Sequence, residues 1–360
     1  MKRALVIAVL AACGGPSKQG QTPLPDPVAA GERDARTDLV AELQDDILKS
    51  YDRDEPPESV NGLLVPEIGP ARIGVGPGDV LLAGELARAP SRWPLDIAAG
   101  TRAEPRSKRL EIHLSRDQTA AWAVDEISWR IHMCSRIAVI PLRMTALFAR
   151  DGDRWVPVFE HLSFARTPMP TRAGQKQPRE ITTAVASRDL ADDLSRVLTP
   201  VLRRTIDPSS KSIARGPEMT LLGPDLAAEW HGAEVAGANL MTGASPMKLE
   251  DRRVGVVGRT SLGKASIAYW VGNITAELPA RPGIPGGKGH FRGTFVFERR
   301  DGGWVLVQGH VSHAIEDGEL ASAIFGTALL GPKPLAITCD DGTKAPVVPV
   351  TNPARGAGNR

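Results

Sequence analysis

The feature that most constrains this chain is a statement it makes twice. "DRWVPVFEHLS" ends one hydrophobic stretch at Ser163, and "DGGWVLVQGHVS" ends another at Ser312. Residues 143–163 laid over residues 292–312 at a constant offset of 149 match at Arg143, Thr145, Phe148, Arg150, Trp155, Val156, Val158, His161 and Ser163, nine of 21 positions. Self-similarity at a fixed offset means one folding unit present in two copies. The 360 residues, 42% of them hydrophobic, are enough for two domains with cores of their own.

Both copies spell the same order of elements. Leu39, Val40, Leu43, Ile47 and Leu48 recur at helical spacing in the first, as do Leu190, Leu194, Val197, Leu198, Val201 and Leu202 in the second. A stretch punctuated by Gly and Pro follows, from Gly69 and from Gly216, and predicts turns and short elements. Strands come next. "KRLEIHLS" and "TAAWAVDEISWRIH" bracket "RDQ", while "RRVGVVGRT" and "KASIAYWVGNITAEL" bracket "SLG", the pattern of hairpins. The repeated block adds the last two strands, with Asp151-Gly152 and Asp301-Gly302 as turns. Helices followed by a long antiparallel sheet define an α+β class.

A final hairpin reading Arg-x-Thr-x-x-Phe, a turn, then Trp-x-x-x-x-x-His-x-Ser, set behind N-terminal helices, resembles the SnoaL-like branch of the NTF2-like superfamily. The resemblance covers residues 36–168 and 185–330. It implies two tandem cone-shaped domains, each with N-terminal helices packed on a curved antiparallel sheet. Sheets of such domains often pack together, so the resemblance also implies an intrachain pseudo-dimer. The superfamily holds isomerases, cyclases and hydrolases beside binding and assembly domains, so the fold leaves activity open.

Alternate residues of a strand share a face, so Trp304, Leu306, Gln308, His310 and Ser312 lie together, a mixed set of the kind that lines a ligand pocket. The expected ligand-binding residues are His161, Ser163, Arg143 and Trp122 in the first copy, and His310, Ser312, Arg292 and Tyr269 in the second. A neutral imidazole exchanges protons near pH 7 and an arginine holds a carboxylate. The bland reading of the same residues is a histidine satisfied by its sheet neighbours, with the arginine exposed. A catalytic version needs a buried carboxylate base, and Asp125, with His161 as its partner, is the candidate; the second copy has Gly272 and Asn273 in the place of Asp125 and Glu126. Adjacent on a strand, Asp125 and Glu126 point to opposite faces, and a solvated acidic strand edge is the alternative. His290 follows a glycine-rich loop that lacks phosphate-binding spacing, and His310 with His313 finds no third partner for a metal. Neither a metal nor a cofactor is expected.

"MKRALVIAVLAAC" has a basic start, an apolar run too short to span a bilayer, and small residues before Cys13. It resembles a bacterial lipoprotein signal, which implies cleavage before Cys13 and lipidation of its thiol. Gly14, in place of an Asp, favours the outer membrane. The expected organisation is a signal peptide (1–12), a flexible tether (13–36), a first domain (37–166), a linker (167–184), a second domain (185–330) and a tail (331–360). Without Lys2 and Arg3 the 44 basic residues become 42, equal to the 42 acidic ones, and no basic run interleaves with aromatics. Nucleic acid is therefore not an expected partner. Cys134 and Cys339 are left as either a disulfide or two buried thiols. The expectation is a membrane-anchored envelope lipoprotein that binds a small apolar ligand or an envelope protein. The alternative is an isomerase or cyclase acting on an apolar molecule in the first domain.

Overall fold

A computed structural model describes residues 30–51, 71–75, 80–82, 102–133, 136–164, 178–207, 209–225, 227–240, 244–259, 264–280, 282, 286–315, 336–338 and 344–346. Cys13, Cys134 and Cys339, and with them the anchor and the disulfide, lie outside these residues.

The first repeat begins with helix α1, Ala30–Tyr51. It starts inside the stretch read as tether, because Ala, Glu and Arg among residues 30–36 are good helix formers. Leu39, Leu43, Ile47 and Tyr51 recur every four residues and are buried against the sheet, with Val40 and Leu48 flanking them. The sheet consists of β1 (Ala71–Ile73), β2 (Val80–Leu82), β3 (Arg102–Ser107), β4 (Glu111–Leu114), β5 (Ala120–Met133), β6 (Arg136–Asp151) and β7 (Arg154–Phe164). Its order is β2-β1-β7-β6-β5-β3, with β4 also on β5.

The second repeat opens with a short strand β8 (Ala184–Val185) and helix α2, Arg188–Arg203. Ser187 caps α2 by accepting from the Leu190 amide at 3.1 Å, and Arg204 closes it in the left-handed region at φ 60°. Leu190, Leu194, Leu198, Val201 and Leu202 are its buried stripe, as the spacing predicts. Strands β9 (Thr220–Leu222), β10 (Glu229–His231), β11 (Lys248–Arg259), β12 (Ala265–Leu278), β13 (Gly287–Arg300) and β14 (Gly303–His313) complete it. The order is β10-β9-β14-β13-β12-β11-β8, which repeats the first sheet with the single β11 in the place of β3 and β4 and with β8 added at the edge.

The copies agree in detail. A bulge falls between Leu147 and Phe148 in one and between Val296 and Phe297 in the other. The turns at Gly152 (φ 63°) and Gly302 (φ 83°) both use the left-handed backbone that glycine allows. In one respect the sheets differ from the antiparallel expectation. β1 runs parallel to β7, β9 parallel to β14, and β8 parallel to β11. The Gly- and Pro-rich stretches after the helices hide β1 and β9, and the end of the linker hides β8; strands of two or three residues are too short to show a period. Two further departures concern segments expected to be patternless. The end of the linker docks through β8 and buried Ile181, and the tail holds a two-stranded ribbon, β15 (Ala336–Thr338) with β16 (Lys344–Pro346).

One face of each sheet carries its helix. The other faces of the two sheets pack on each other, so that a single apolar cluster runs from Trp122, Leu147 and Phe159 of the first repeat into Leu221, Tyr269 and Val271 of the second.

Candidate functional site

The residues written twice meet between the two sheets. The rings of His161 and His310 stack with centroids 3.8 Å apart and planes 19° from parallel. His161 Nδ1 is 3.1 Å from Thr294 Oγ1, and its Nε2 is 2.7 Å from Ser312 Oγ. The reciprocal set holds His310: Nδ1 is 3.0 Å from Thr145 Oγ1 and Nε2 is 2.9 Å from Ser163 Oγ. Each histidine thus bridges the hydroxyl pair of the other repeat, about a local two-fold axis. The arginines follow the same rule. Arg143 donates to the carbonyls of Gly223 and Asp225 just beyond β9, and Arg292 donates to the carbonyl of Val75 just beyond β1.

This geometry explains the matched residue types. Histidine, threonine, serine and arginine are complementary to their own copies across the axis. Arg299 lies over the Trp304 ring at 5.5 Å, and Arg150 pairs in register with Trp155 at the same corner of the first repeat. Burial is complete for both histidines, and it pushes both rings well below the usual histidine pKa. For His161, the facing His310 and Arg292 add to burial; for His310, Arg143 and Arg292 do. Both rings are therefore neutral at pH 7, each with one donor and one acceptor nitrogen for hydroxyls that serve either way.

Trp122 and Tyr269 lie in the same contact. The Trp122 indole donates to the Glu218 carbonyl at 3.0 Å, and Tyr269 faces Phe159 at 6.2 Å. Burial raises the Tyr269 phenol above its ordinary range. The eight residues expected to line pockets are thus gathered into one cross-repeat contact. At its rim Glu229 accepts from Arg109 and lies 2.8 Å from His231 Nε2. Burial would raise the Glu229 carboxyl, but those two partners outweigh it and hold the group below its usual value.

Asp125 stands on the opposite side of the sheet from His161, so the two are not partners. It faces α1 and is fully buried. The Tyr51 hydroxyl donates to its Oδ2 at 2.8 Å, while Ser107 Oγ at 3.0 Å and the Arg109 amide at 3.3 Å donate to its Oδ1. Burial raises its pKa, and these three donors only partly offset the effect. Glu126 points the other way and pairs with Arg109 at 3.1 Å. A buried aspartate held by a tyrosine hydroxyl is a proton donor or acceptor in a protected setting.

Tyr51 also ends a cleft of about 260 Å³ between α1 and the β6–β7 hairpin. Leu43 and Ile47 line one wall, and Met144, Phe148, Trp155 and Pro157 the other. The second repeat treats the equivalent surface differently. Pairing of Glu126 with Arg143 and of Asn273 with Arg292 sets Gly272 opposite Asp125 and Trp270 opposite Ala123, and the offset of 149 sets Phe295 opposite Ala146. Trp270 and Phe295 meet edge to face at 5.6 Å and lie over glycine. A Cβ on Gly272 would come 2.8 Å from the Trp270 ring, and one on Gly293 would come 2.8 Å from the Phe295 ring. Aromatic rings over a glycine floor fill the second repeat where the first keeps a carboxylate.

The sequence reading missed Tyr51, Ser107 and Trp155 as site residues. The signal that finds Tyr51 and Ser107 is the difference between copies at their partner, Asp125 against Gly272, whereas Trp155 is one of the matched residues. Among the described residues no group of three or more His, Cys, Asp or Glu is arranged to hold a metal ion. No described helix is long and apolar enough to cross a membrane.

Two α+β units, each with a helix on one face of its sheet and joined through the other face, define the class of this protein. Within it, a family model described as "SnoaL-like domain" matches residues 213–316. Similar solved structures include a putative calcium/calmodulin-dependent protein kinase II association domain from Xanthomonas campestris. It is 20% identical and covers 41% of this chain and 97% of its own, with a TM-score of 0.28. The association domain of the C. elegans kinase is 16% identical, covering 35% of this chain and 93% of its own at a TM-score of 0.26. A putative dehydratase of the NTF2-like family from Streptomyces avermitilis is 14% identical, covering 37% and 98% at 0.28. No curated protein matches.

Proposed function

We propose that the first repeat is a binding site for a small, largely apolar molecule and that the second repeat is its built-in structural partner, both being SnoaL-like domains. One observation carries the reading. The helix-facing side of the first sheet has a cleft that ends at Tyr51, whose hydroxyl donates to the buried Asp125 behind it, whereas the equivalent side of the second carries Trp270 and Phe295. Native mass spectrometry of protein gently extracted from its own cells tests it. A co-purifying small molecule that is lost in Ser50→Trp, which blocks the cleft from the helix side, is the expected result. Retention of that molecule in the blocked variant would remove the cleft from consideration.

A second reading, proton transfer at the Tyr51 end of the cleft with Asp125 behind the Tyr51 hydroxyl, is favoured by that hydrogen bond and by the raised pKa of Asp125. A carboxyl that stays protonated closer to neutrality takes or gives a proton at low cost, and Tyr51 is placed to steady the charge left behind. Asp125→Asn keeps the shape and most of the hydrogen bonds while removing the proton exchange. Full turnover of an identified substrate by that variant would exclude the catalytic reading and leave binding.

The anchored location belongs to the same proposal. Lipidation at Cys13 would hold the two repeats at a membrane surface. Cys13→Ser is expected to move the protein from the membrane fraction to the soluble one, and continued membrane retention would count against the anchor.

A further inference from the structure

The charges around the cleft select what enters it, an inference that rests on the ligand-binding reading above. Five charged side chains border the cleft, and three are already engaged: Lys49 with Asp45, Arg154 with Asp151 at 3.6 Å, and Glu160 with Arg72 at 3.3 Å. The remaining two are the carboxylates of Glu42 and Asp46, exposed one turn apart on α1 and without an ion pair among the described residues. Like charges at this spacing weaken a helix by about 0.2–0.5 kcal/mol, so the pair does not serve α1 itself. Inside, Leu43, Ile47, Met144, Phe148, Pro157 and the Trp155 ring make an apolar wall, and its hydroxyls are already engaged, Ser50 with the Ile47 carbonyl and Tyr51 with Asp125. The volume of about 260 Å³ is small. Drug-sized ligands use about 300–1,000 Å³.

We propose that the cleft takes a small organic ammonium compound. Its apolar body lies against Met144, Phe148 and the Trp155 ring, and its cationic head sits between Glu42 and Asp46. An anionic compound of the same body is repelled by the two carboxylates, and a neutral one leaves them in water.

The test is calorimetric titration of the full chain, at low salt, with phenoxybutylammonium, phenoxybutanol and phenoxybutyrate, which share one body and differ in the head. The ammonium is expected to bind about tenfold tighter than the alcohol, from two charge contacts of up to about fivefold each. Added salt should erode that advantage. The double variant Glu42→Gln/Asp46→Asn should weaken the ammonium by roughly five- to tenfold and leave the alcohol unchanged. Equal binding of the alcohol or the carboxylate, or equal loss of all three in the double variant, overturns the ammonium assignment. In that case the cleft itself stands if Ser50→Trp abolishes alcohol binding. Failure of all three compounds overturns the assignment, and if the native protein also loses no co-purifying molecule in Ser50→Trp, the cleft falls with it.

Discussion

His161 and His310 show how much two side chains can specify when each is read by the other's repeat. Each makes two hydrogen bonds across the contact and one stacking contact with its counterpart. His161→Ala removes all of these and strands the Thr294 and Ser312 hydroxyls in a buried site. A loss of about 2–4 kcal/mol of stability is expected, from unsatisfied polar groups plus a cavity. A double-mutant cycle with His310→Ala should return a coupling of about 0.5–3 kcal/mol, since the rings touch. Additive losses in denaturant titrations would mean that the stack contributes nothing of its own. Protonation tests the same pair. Their folded pKa values lie well below the unfolded one, so the unfolded chain binds protons first as the pH falls. Stability present above about pH 6.5 is then lost toward acid, at about 1.4 kcal/mol per pH unit for each histidine. His313, pushed down by burial and Arg292 to about 4, adds to the same slope. Urea midpoints at pH 7 and pH 5 should therefore differ strongly in the parent and much less in His161→Gln/His310→Gln; equal slopes would show that the pair does not carry the effect.

The helix that decides the chemistry is α1, because it brings Tyr51 to Asp125. The hydrogen bond from Tyr51 lowers a carboxyl pKa that burial has raised, so Tyr51→Phe should raise it further. A raised carboxyl pKa has the opposite sign to the histidines: the folded state holds its proton longer, and stability falls as the pH rises through that value. Tyr51→Phe should extend this falling limb to higher pH and cost about 1–2 kcal/mol at neutrality. An unchanged limb in pH-dependent unfolding would mean that Tyr51 does not set the state of Asp125. At this scale the sequence was legible in uneven parts. The stripes of α1 and α2, the hairpins and the Gly152 and Gly302 turns follow from period and turn chemistry. The short strands β1, β2, β9 and β10 do not, since three residues carry no period. His161, Ser163, Arg143 and their counterparts were identified by being the same in both copies, and sameness marked the surface the copies share. The helix-facing sides differ where Asp125, Ala123 and Ala146 stand in place of Gly272, Trp270 and Phe295, and a comparison that seeks matches passes over such positions.

At the scale of the whole chain, the reciprocal bonds make the second repeat complementary to itself. Thr294, Ser312, Arg292 and His310 supply one full half of the two-fold set. Residues 178–315 expressed alone should therefore form a symmetric dimer through that face, with His310 stacked on its own copy. Sedimentation velocity should show a dimer that His310→Asp converts to monomer; a monomer from the start would mean that contacts peculiar to the first repeat, such as Arg109 with Glu229 and Trp122 with Glu218, hold the halves together.

The single polypeptide linking the two halves has a genetic consequence. In a pair of identical chains every substitution arrives twice, so a tryptophan that braces one subunit must also plug the other. With both halves written in one gene, Trp270 and Phe295 reinforce one side while Asp125 survives on the other. Drift in the second repeat is thereby free to strengthen the assembly without closing the cleft beside α1 of the first.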